Sequence, residues 1–344
     1  MAPERPTADH SADGDRRPRL TPAMADARRA VRETLASLEA GGLALVALSG
    51  GPDSLALAAA TAFEAPRAGL RAGAVIVDHQ LQDGSRAVAD RAADQARALG
   101  LDPVEVVRVD IAPSRVGGGP EAAARDARYA ALAEAARRHS ASTVLLGHTV
   151  DDQAETVLLG LARGSGAVSL SGMAAVNGVY RRPFLGLRRA STVQACRDQG
   201  LEPWSDPHNI DPAYTRVRVR DRVLPLLEAE LDLGVVEALA RTAELVRDDA
   251  DALDRMVDEV AEELVDLDDG GCSVPAAWLV ANPRALGSRL VRLVARVEFG
   301  LTLSREQTLE VLRLATDWHG QGAVHLRGVR VRRAGTRIVF TAAE

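Results

Sequence analysis

The sequence predicts an α/β protein with two domains: a first domain built on a parallel sheet, and a smaller, mainly helical domain that ends in a β-hairpin. Apolar runs of strand length alternate with helical segments through the first part of the chain, as in parallel sheets. At 344 residues the chain is longer than a typical single domain, and 47% of its residues are apolar. The last residues alternate apolar and polar side chains around short turns, which is typical of hairpin strands.

The first 24 residues are rich in Pro, Asp and Arg and lack an apolar segment, so we expect a disordered leader and not a signal peptide. The elements that follow are placed by apolar runs for strands and by apolar spacings of three and four for helices. Strands are predicted over 43–48, 74–77, 104–109 and 143–146, and helices over 25–39, 55–63, 86–99, 121–139 and 157–161.

The first predicted strand runs into the segment SGGPDS, and a helix follows at once. Two adjacent glycines let successive backbone N–H groups point at one spot, and the next helix adds its positive N-terminal end. This arrangement predicts a phosphate-binding loop, although the same residues also suit a tight turn with a capped helix. The loop consists of Ser49, Gly50, Gly51, Pro52, Asp53 and Ser54.

A second polar cluster begins where the strand predicted over 143–146 ends. His148, Asp151, Asp152 and Glu155 crowd the start of the next helix. Carboxylates in a first helical turn often serve only the helix dipole. One histidine with three carboxylates is also the kind of group that binds Mg²⁺ or acts as a general base. Ligands of parallel sheets bind at the carboxyl ends of the strands, where this cluster and the loop both fall.

The composition excludes several kinds of site. All 42 basic residues are arginine, so a Schiff-base lysine and a phosphate-loop lysine are ruled out, and arginine must bind any phosphate. Cys196 and Cys272 belong to no CxxC pair, so we expect buried thiols and no zinc or iron–sulfur cage. No apolar run reaches the roughly 18 residues of a membrane span, so we expect a cytoplasmic protein.

Charge is distributed unevenly along the chain. The formal net charge is −6 at pH 7, but residues 226–270 hold sixteen acids and only three arginines, so the remainder is net positive. Residues 324–344 carry five arginines and one acid. Because polyanions are bound by local patches, RNA remains a possible partner by composition. A solvated basic hairpin explains this tail equally well.

The second domain is predicted to start with a long helix. Apolar residues recur at spacings of three and four from Leu239 to Leu264, which indicates an amphipathic helix that packs against the next unit. Two more helices are predicted over 284–298 and 304–316, the latter with Ser304 as its cap. Hairpin strands are predicted over 324–326, 329–331 and 337–340.

Several blocks of the sequence together resemble one enzyme family. SGGPDS alone resembles the pyrophosphate loop of the N-type ATP pyrophosphatases, which cut ATP between the α and β phosphates. With VDHQLQDGS, EAAARDARY, GHTVDDQAETVLLGLARGSG, RRPFLGLRR and WSDPHNIDPAYTRVRVRDRVLPLLE in this order, the chain resembles the tRNA(Ile)-lysidine synthetases. The resemblance covers residues 43–228. It implies a Rossmann-like adenylation domain over 25–225, followed by a linker helix and a tRNA-binding domain over 226–344.

The resemblance implies a two-step reaction. ATP transfers AMP to the C2 oxygen of the cytidine at the first anticodon position of an isoleucine tRNA with anticodon CAU. The ε-amine of free L-lysine then displaces AMP. This implies ATP and Mg²⁺ as cofactors, with Asp53 and Asp152 as candidate metal ligands.

The remaining candidate residues divide into three groups. Arg128, together with Arg125, is assigned to phosphate or RNA, and Arg216 and Arg220 to the tRNA. Asp151 and Glu155 are candidates to receive the lysine ammonium. His148 is either a base or a structural residue.

Two other functions compete. The chain could be another pyrophosphatase of this class, a tRNA thiolase or an amide-forming synthetase, although it lacks the CxxC pairs and the recognisable nucleophilic cysteine that these would need. It could also be a non-catalytic module that senses a nucleotide. The sequence does not decide between a monomer and a homodimer.

Overall fold

A computed structural model of the chain describes residues 20–80, 84–110, 119–164, 166–206, 211–231, 234–268 and 270–343, without the side chains of 119–121. The chain divides into two compact units, one up to Ala243 and one from Glu244. Most of the predicted leader lies outside the described residues. The first helix already begins at Pro22, capped by the Thr21 side chain, three residues before its predicted start.

The first unit is organised around a six-stranded sheet in the order β3-β2-β1-β4-β6-β5. All neighbouring strands are parallel except the short pair β5 and β6. The strands are β1 (Leu43–Ala47), β2 (Arg71–Asp78), β3 (Val104–Arg108), β4 (Thr143–Leu145), β5 (Val176–Asn177) and β6 (Tyr180–Arg181).

Helices cover both faces of this sheet. The longer ones are α1 (Pro22–Leu35), α2 (Pro52–Glu64), α3 (Ser85–Ala98), α4 (Gly119–Arg138), α5 (Val150–Ala162) and α7 (Arg189–Asp198). The shorter ones are α6 (Ala167–Leu170), α8 (Thr215–Arg218), a π-helical turn (Val219–Val223) and α9 (Leu224–Leu231).

The apolar run of β1 explains why it lies at the centre of the sheet. Its side chains alternate between faces, and both faces are buried. Leu45 packs in a cluster with Leu132 of α4, whereas Val46 packs on the other side with Val31 of α1 and Leu55 of α2. The segment after β1 is therefore held rigidly at the carboxyl edge of the sheet.

The second unit contains an antiparallel sheet in the order β7-β8-β11-β10-β9, whose apolar side chains pack in a core with residues of four helices. The helix α10 (Val235–Leu264) contains the division between the units. The strands are β7 (Asp266–Asp268), β8 (Gly271–Pro275), β9 (Val324–Leu326), β10 (Val329–Ala334) and β11 (Arg337–Ala342), and the helices are α11 (Ala276–Ala281), α12 (Arg284–Phe299) and α13 (Arg305–Thr316).

The predicted fold class is confirmed: a parallel α/β unit precedes helices and an antiparallel C-terminal sheet. The structure adds β7 and β8, in a stretch between the long helix and residue 284 where the sequence predicted no strand. Ser304 caps α13 as predicted, in a capping box with Gln307. Within the described part of the chain, no helix is both long and apolar enough to cross a membrane.

Candidate active site

The predicted phosphate loop, residues 49–54, joins β1 to α2 as a tight turn. Gly50 has a φ of +82°, a left-handed conformation that other residues adopt only with strain. The Ser54 hydroxyl oxygen accepts a hydrogen bond from the Ser49 backbone N–H at 3.2 Å and donates one to the Gly51 carbonyl at 3.0 Å. Gly51, the N-cap of α2, has no side chain to occupy the first N–H groups, which stay available to an anion.

The segment that leads into α5 lies against this loop at Gly147. A Cβ atom at that position would sit 3.0 Å from the backbone carbon of Asp53 and from the backbone nitrogen of Ser54, so a larger residue would push the two segments apart. Asp152 then fixes the start of α5, because its Oδ2 accepts hydrogen bonds from the Thr149 backbone N–H at 2.8 Å and from its hydroxyl at 2.9 Å. The two polar segments therefore lie side by side.

Arg189, the first residue of α7, connects the carboxylates of both segments. Its guanidinium donates to Asp53 at 3.3 Å, to Asp152 at 2.8 Å and to Glu155 at 3.3 Å. Its backbone N–H also donates to Asp151 at 2.7 Å. Burial alone would lower the pKa of Arg189, but the surrounding carboxylates outweigh it and raise the pKa. No sequence pattern indicated a role for this residue, although it lies in the block RRPFLGLRR.

Glu155 is the most buried of the four carboxylates, with no exposed side-chain surface. It accepts hydrogen bonds from Arg216 Nε at 2.7 Å, from Arg220 Nε at 2.7 Å, and from Arg189. Three guanidinium groups thus surround one carboxylate, which removes most of the penalty for burying its charge. Arg216 and Arg220, which we assigned to the tRNA, direct their Nε atoms to this carboxylate.

The helix α7 supports the loop through one face. Thr192 donates a hydrogen bond to the Asp53 carboxylate, and the Cys196 thiol donates to the Pro52 carbonyl at 3.2 Å. Burial raises the pKa of Asp53, and the contacts with Thr192 and Arg189 only partly offset it. Burial also raises the pKa of Cys196 to about 12, so this thiol is protonated and is not a nucleophile. Cys272 is likewise a free, buried thiol.

A positively charged region adjoins the carboxylates. Arg125 and Arg128 of α4 each have their guanidinium 5.7 Å from the ring centre of Tyr129. Burial and the charges of Arg125, Arg216 and Arg182 lower the pKa of Arg128. Within the described ranges, Arg128 forms no ion pair with an acid, which leaves its charge available to an anionic ligand.

His148 lies half-buried between β4 and α5, and its ring accepts a hydrogen bond from Arg182 at 3.2 Å. Arg182, a second residue for which no sequence pattern indicated a role, is buried. The pKa of Asp152 is lowered although burial works in the opposite direction, because Arg189 and the Thr149 backbone N–H stabilise the ionised carboxylate. The site thus combines an ionised carboxylate with a histidine in contact with a guanidinium.

A cavity of about 280 Å³ opens beside the carboxylates. Its wall combines acids, arginines and apolar side chains, which suits a ligand that has charged ends and an aliphatic middle. The lining residues are Asp151, Glu155, Glu228, Arg188, Arg220, Leu224, Pro225 and Val236.

The two candidate metal ligands, Asp53 and Asp152, face the same guanidinium, that of Arg189. Carboxylate oxygens are the donors that Mg²⁺ prefers, so the chemistry of the pair fits that ion. Among the residues that the structure describes, no group of three or more His, Cys, Asp or Glu side chains could hold a metal. A metal bound here would therefore need further oxygen ligands from its substrate.

The structure thus brings the loop, the four carboxylates, His148, Arg128, Arg216 and Arg220 to one edge of the sheet. Arg125 lies in the same helix as Arg128, but its side chain is exposed. Part of the block WSDPHNIDPAYTRVRVRDRVLPLLE, residues 207–210, lies outside the described residues.

Comparisons with known proteins identify the family of this chain. Residues 24–227 match the PP-loop domain family. The tRNA(Ile)-lysidine synthase of Leifsonia xyli is 60% identical over 304 residues, which cover 88% of this chain and 91% of that protein. The enzyme of that name from Thermobifida fusca is 54% identical and covers 93% and 98% of the two chains.

A solved structure supports the fold alone. The U34-tRNA thiolase NcsA from Methanococcus maripaludis, solved with its [4Fe-4S] cluster, superposes with a TM-score of 0.55 at 18% identity. The match covers 65% of this chain and 80% of that one. Taken together, the relatives of high identity and the PP-loop match show that this chain belongs to the tRNA(Ile)-lysidine synthase family of PP-loop enzymes.

Proposed function

We propose that the enzyme uses ATP to adenylate the C2 oxygen of the first anticodon cytidine in an isoleucine tRNA with anticodon CAU, and then replaces AMP with the ε-amine of lysine. The observation that carries the proposal is the SGGPDS loop, held against Asp152 and Glu155 through Arg189. The order of steps follows from chemistry, since a ring oxygen leaves poorly until it carries AMP. Activation therefore precedes attack by the amine.

The loop binds the pyrophosphate end of ATP in this proposal. Its N–H groups and the start of α2 face the oxygens whose negative charge grows as the bond between the α and β phosphates breaks. Arg128 neutralises further phosphate charge. Asp53 and Asp152 would hold Mg²⁺, which would supply charge neutralisation at the phosphates when bound. Because the Arg189 guanidinium contacts both carboxylates, it is positioned to hold them in place before ATP binds.

We place lysine in the cavity of about 280 Å³. Glu155 is saturated by three arginines, so Asp151 and Glu228 are better placed to receive an ammonium group. Arg188 can bind the lysine carboxylate, and Leu224 and Val236 can contact the aliphatic stem. This proposal changes our first assignment, in which Glu155 also received the ammonium.

The tRNA is proposed to contact the second unit through its basic strands. Arg327, Arg330 and Arg332 are exposed and form no ion pair among the described residues, so they are free to bind phosphates. Replacing Arg330 and Arg332 by Gln should weaken tRNA binding and flatten its dependence on salt concentration, while Arg305→Gln on α13 serves as the control. A cytoplasmic location and a homodimer remain predictions.

The proposed adenylation is tested by measuring pyrophosphate release from ATP with and without the CAU tRNA. We expect release to require the tRNA, and Asp152→Ala to lower it by a factor on the order of 10². Asp90→Ala, on the exposed face of α3, should release pyrophosphate normally. Release from ATP without RNA, or a normal rate in Asp152→Ala, contradicts the proposal. A protein that binds ATP but never releases pyrophosphate would be a sensor module.

A further inference from the structure

Arg182 is a buried guanidinium, 7% exposed, whose described partners are all neutral. It donates from Nη1 to the Ala174 carbonyl at 2.8 Å and from Nη2 to the Tyr129 hydroxyl at 3.2 Å. Its Nε donates to Nδ1 of His148 at 3.2 Å. No carboxylate of the described chain forms an ion pair with it. The three bonds fix the guanidinium beside the imidazole.

The direction of the bond to His148 follows from the chemistry of arginine. A guanidinium has five N–H donors and no acceptor. Nδ1 of His148 must therefore accept, which requires an unprotonated nitrogen at that position. In a neutral imidazole the remaining proton is then on Nε2. No described protein group accepts a hydrogen bond from Nε2, so this donor is available to a ligand.

We infer that Arg182 is a positioning residue that holds His148 in its neutral, Nε2-protonated form, so that His148 donates a hydrogen bond to a phosphoryl oxygen and does not accept the lysine proton. The inference deepens the proposed function and rests on it for the identity of the ligand. It excludes the role of base that the sequence left open for His148 and gives the ring a contact with the substrate in place of a purely structural role.

The surroundings of His148 support a donor that faces phosphate. The charged groups that act on it are Arg128 of α4, Arg182 after β6, Arg216 of α8 and Asp152 of α5. Arg128 and Arg182 lack carboxylate partners among the described residues, which leaves an excess of positive charge around the His148 ring. Burial, together with the three arginines, lowers the pKa of His148 to about 3 although Asp152 opposes the shift. A neutral imidazole is then retained throughout the physiological pH range.

The first test is independent of the reaction. Nitrogen-15 NMR of the histidine side chains in the full-length protein, with His148 assigned by comparison with His148→Gln, reports tautomer and charge directly. We expect a neutral ring protonated at Nε2 that does not titrate between about pH 5.5 and 8.5. A ring protonated at Nδ1, or one that titrates near its ordinary pKa, overturns the inference.

The second test uses pyrophosphate release. A glutamine side chain can place an amide N–H near the position of Nε2, but it cannot act as a base at neutral pH. We therefore expect the rate of pyrophosphate release to fall less than about tenfold in His148→Gln. In His148→Leu the rate should fall on the order of 10²-fold. Equal losses in both variants overturn the donor role. His139→Leu is the control, since His139 contacts Glu105, which is not in the site.

The two tests separate this inference from the proposed function. If the unmodified enzyme never releases pyrophosphate, the proposed function fails, whereas the NMR measurement still decides the tautomer. Arg182→Met adds a check on the positioning role: in a folded variant, verified by circular dichroism, the His148 ring should lose its single tautomer. Persistence of the same tautomer without Arg182 would contradict the role of that residue.

Discussion

Glu155→Gln tests how the three arginines depend on one buried carboxylate. The substitution keeps the size of the side chain but removes its charge, and it turns an amide NH₂ towards guanidinium donors. Removing one partner of a buried ion pair lowers the free energy of unfolding by about 3–5 kcal/mol. We expect the lower value, about 3 kcal/mol, because the arginine side chains are 21% to 31% exposed. For a unit of this size, that free energy lowers the melting temperature by about 6–12 °C.

The matched control is Glu64→Gln. Glu64 is also buried, at 2% exposure, but among the described residues it forms an ion pair with Arg32 alone, whose side chain is 62% exposed. We expect Glu64→Gln to lower the free energy of unfolding by about 1–2 kcal/mol and to leave pyrophosphate release normal.

Glu155→Gln should also lower the rate of pyrophosphate release by about 10²-fold, because Arg189 would no longer hold Asp53 and Asp152 in their relative positions. Calorimetry measures the melting of both variants, and equal melting temperatures would refute the reasoning.

Three further predictions follow from individual contacts. Gly50→Ala places a side chain on a residue at φ +82°, so it should destabilise the fold by about 1–2 kcal/mol and weaken ATP binding measured by calorimetry. Gly41 lies away from the loop at φ +86°. Gly41→Ala should therefore destabilise the fold by about the same free energy and bind ATP normally. Arg189→Met removes a charge that lowers the pKa of Asp53. The pKa of Asp53 should therefore rise, and the acid side of the pH profile of pyrophosphate release should shift to higher pH. Arg197→Met on the same helix should leave the profile unchanged. Ser304→Ala should lower the stability of the second unit by about 1 kcal/mol without changing adenylation.

Local sequence patterns were sufficient for the parts of the fold that depend on neighbouring residues. The apolar run before SGGPDS predicted the central strand, because only a strand buried on both faces is apolar at every position. The two glycines predicted the tight turn, and Ser304 predicted the start of α13. These features are set by backbone conformation and by spacing, which a single sequence contains.

The sequence did not reveal contacts between distant segments. Arg189 lies 136 residues from Asp53, and nothing in its neighbourhood indicates which carboxylates it will meet. Arg182 likewise looked like any other arginine before the fold placed it beside His148. The strands β7 and β8 were missed because acids and glycines give them little of the usual strand pattern, and they are held by pairing with β11.

The most direct test of the central claim is the mass of the CAU isoleucine tRNA after incubation with the enzyme, ATP and free lysine. We predict that one cytidine, at the first anticodon position, gains the mass of lysine less one water, and that the gain requires both ATP and lysine. An unmodified tRNA, despite pyrophosphate release, would contradict lysine as the nucleophile. A modification at another nucleotide would contradict the proposed target.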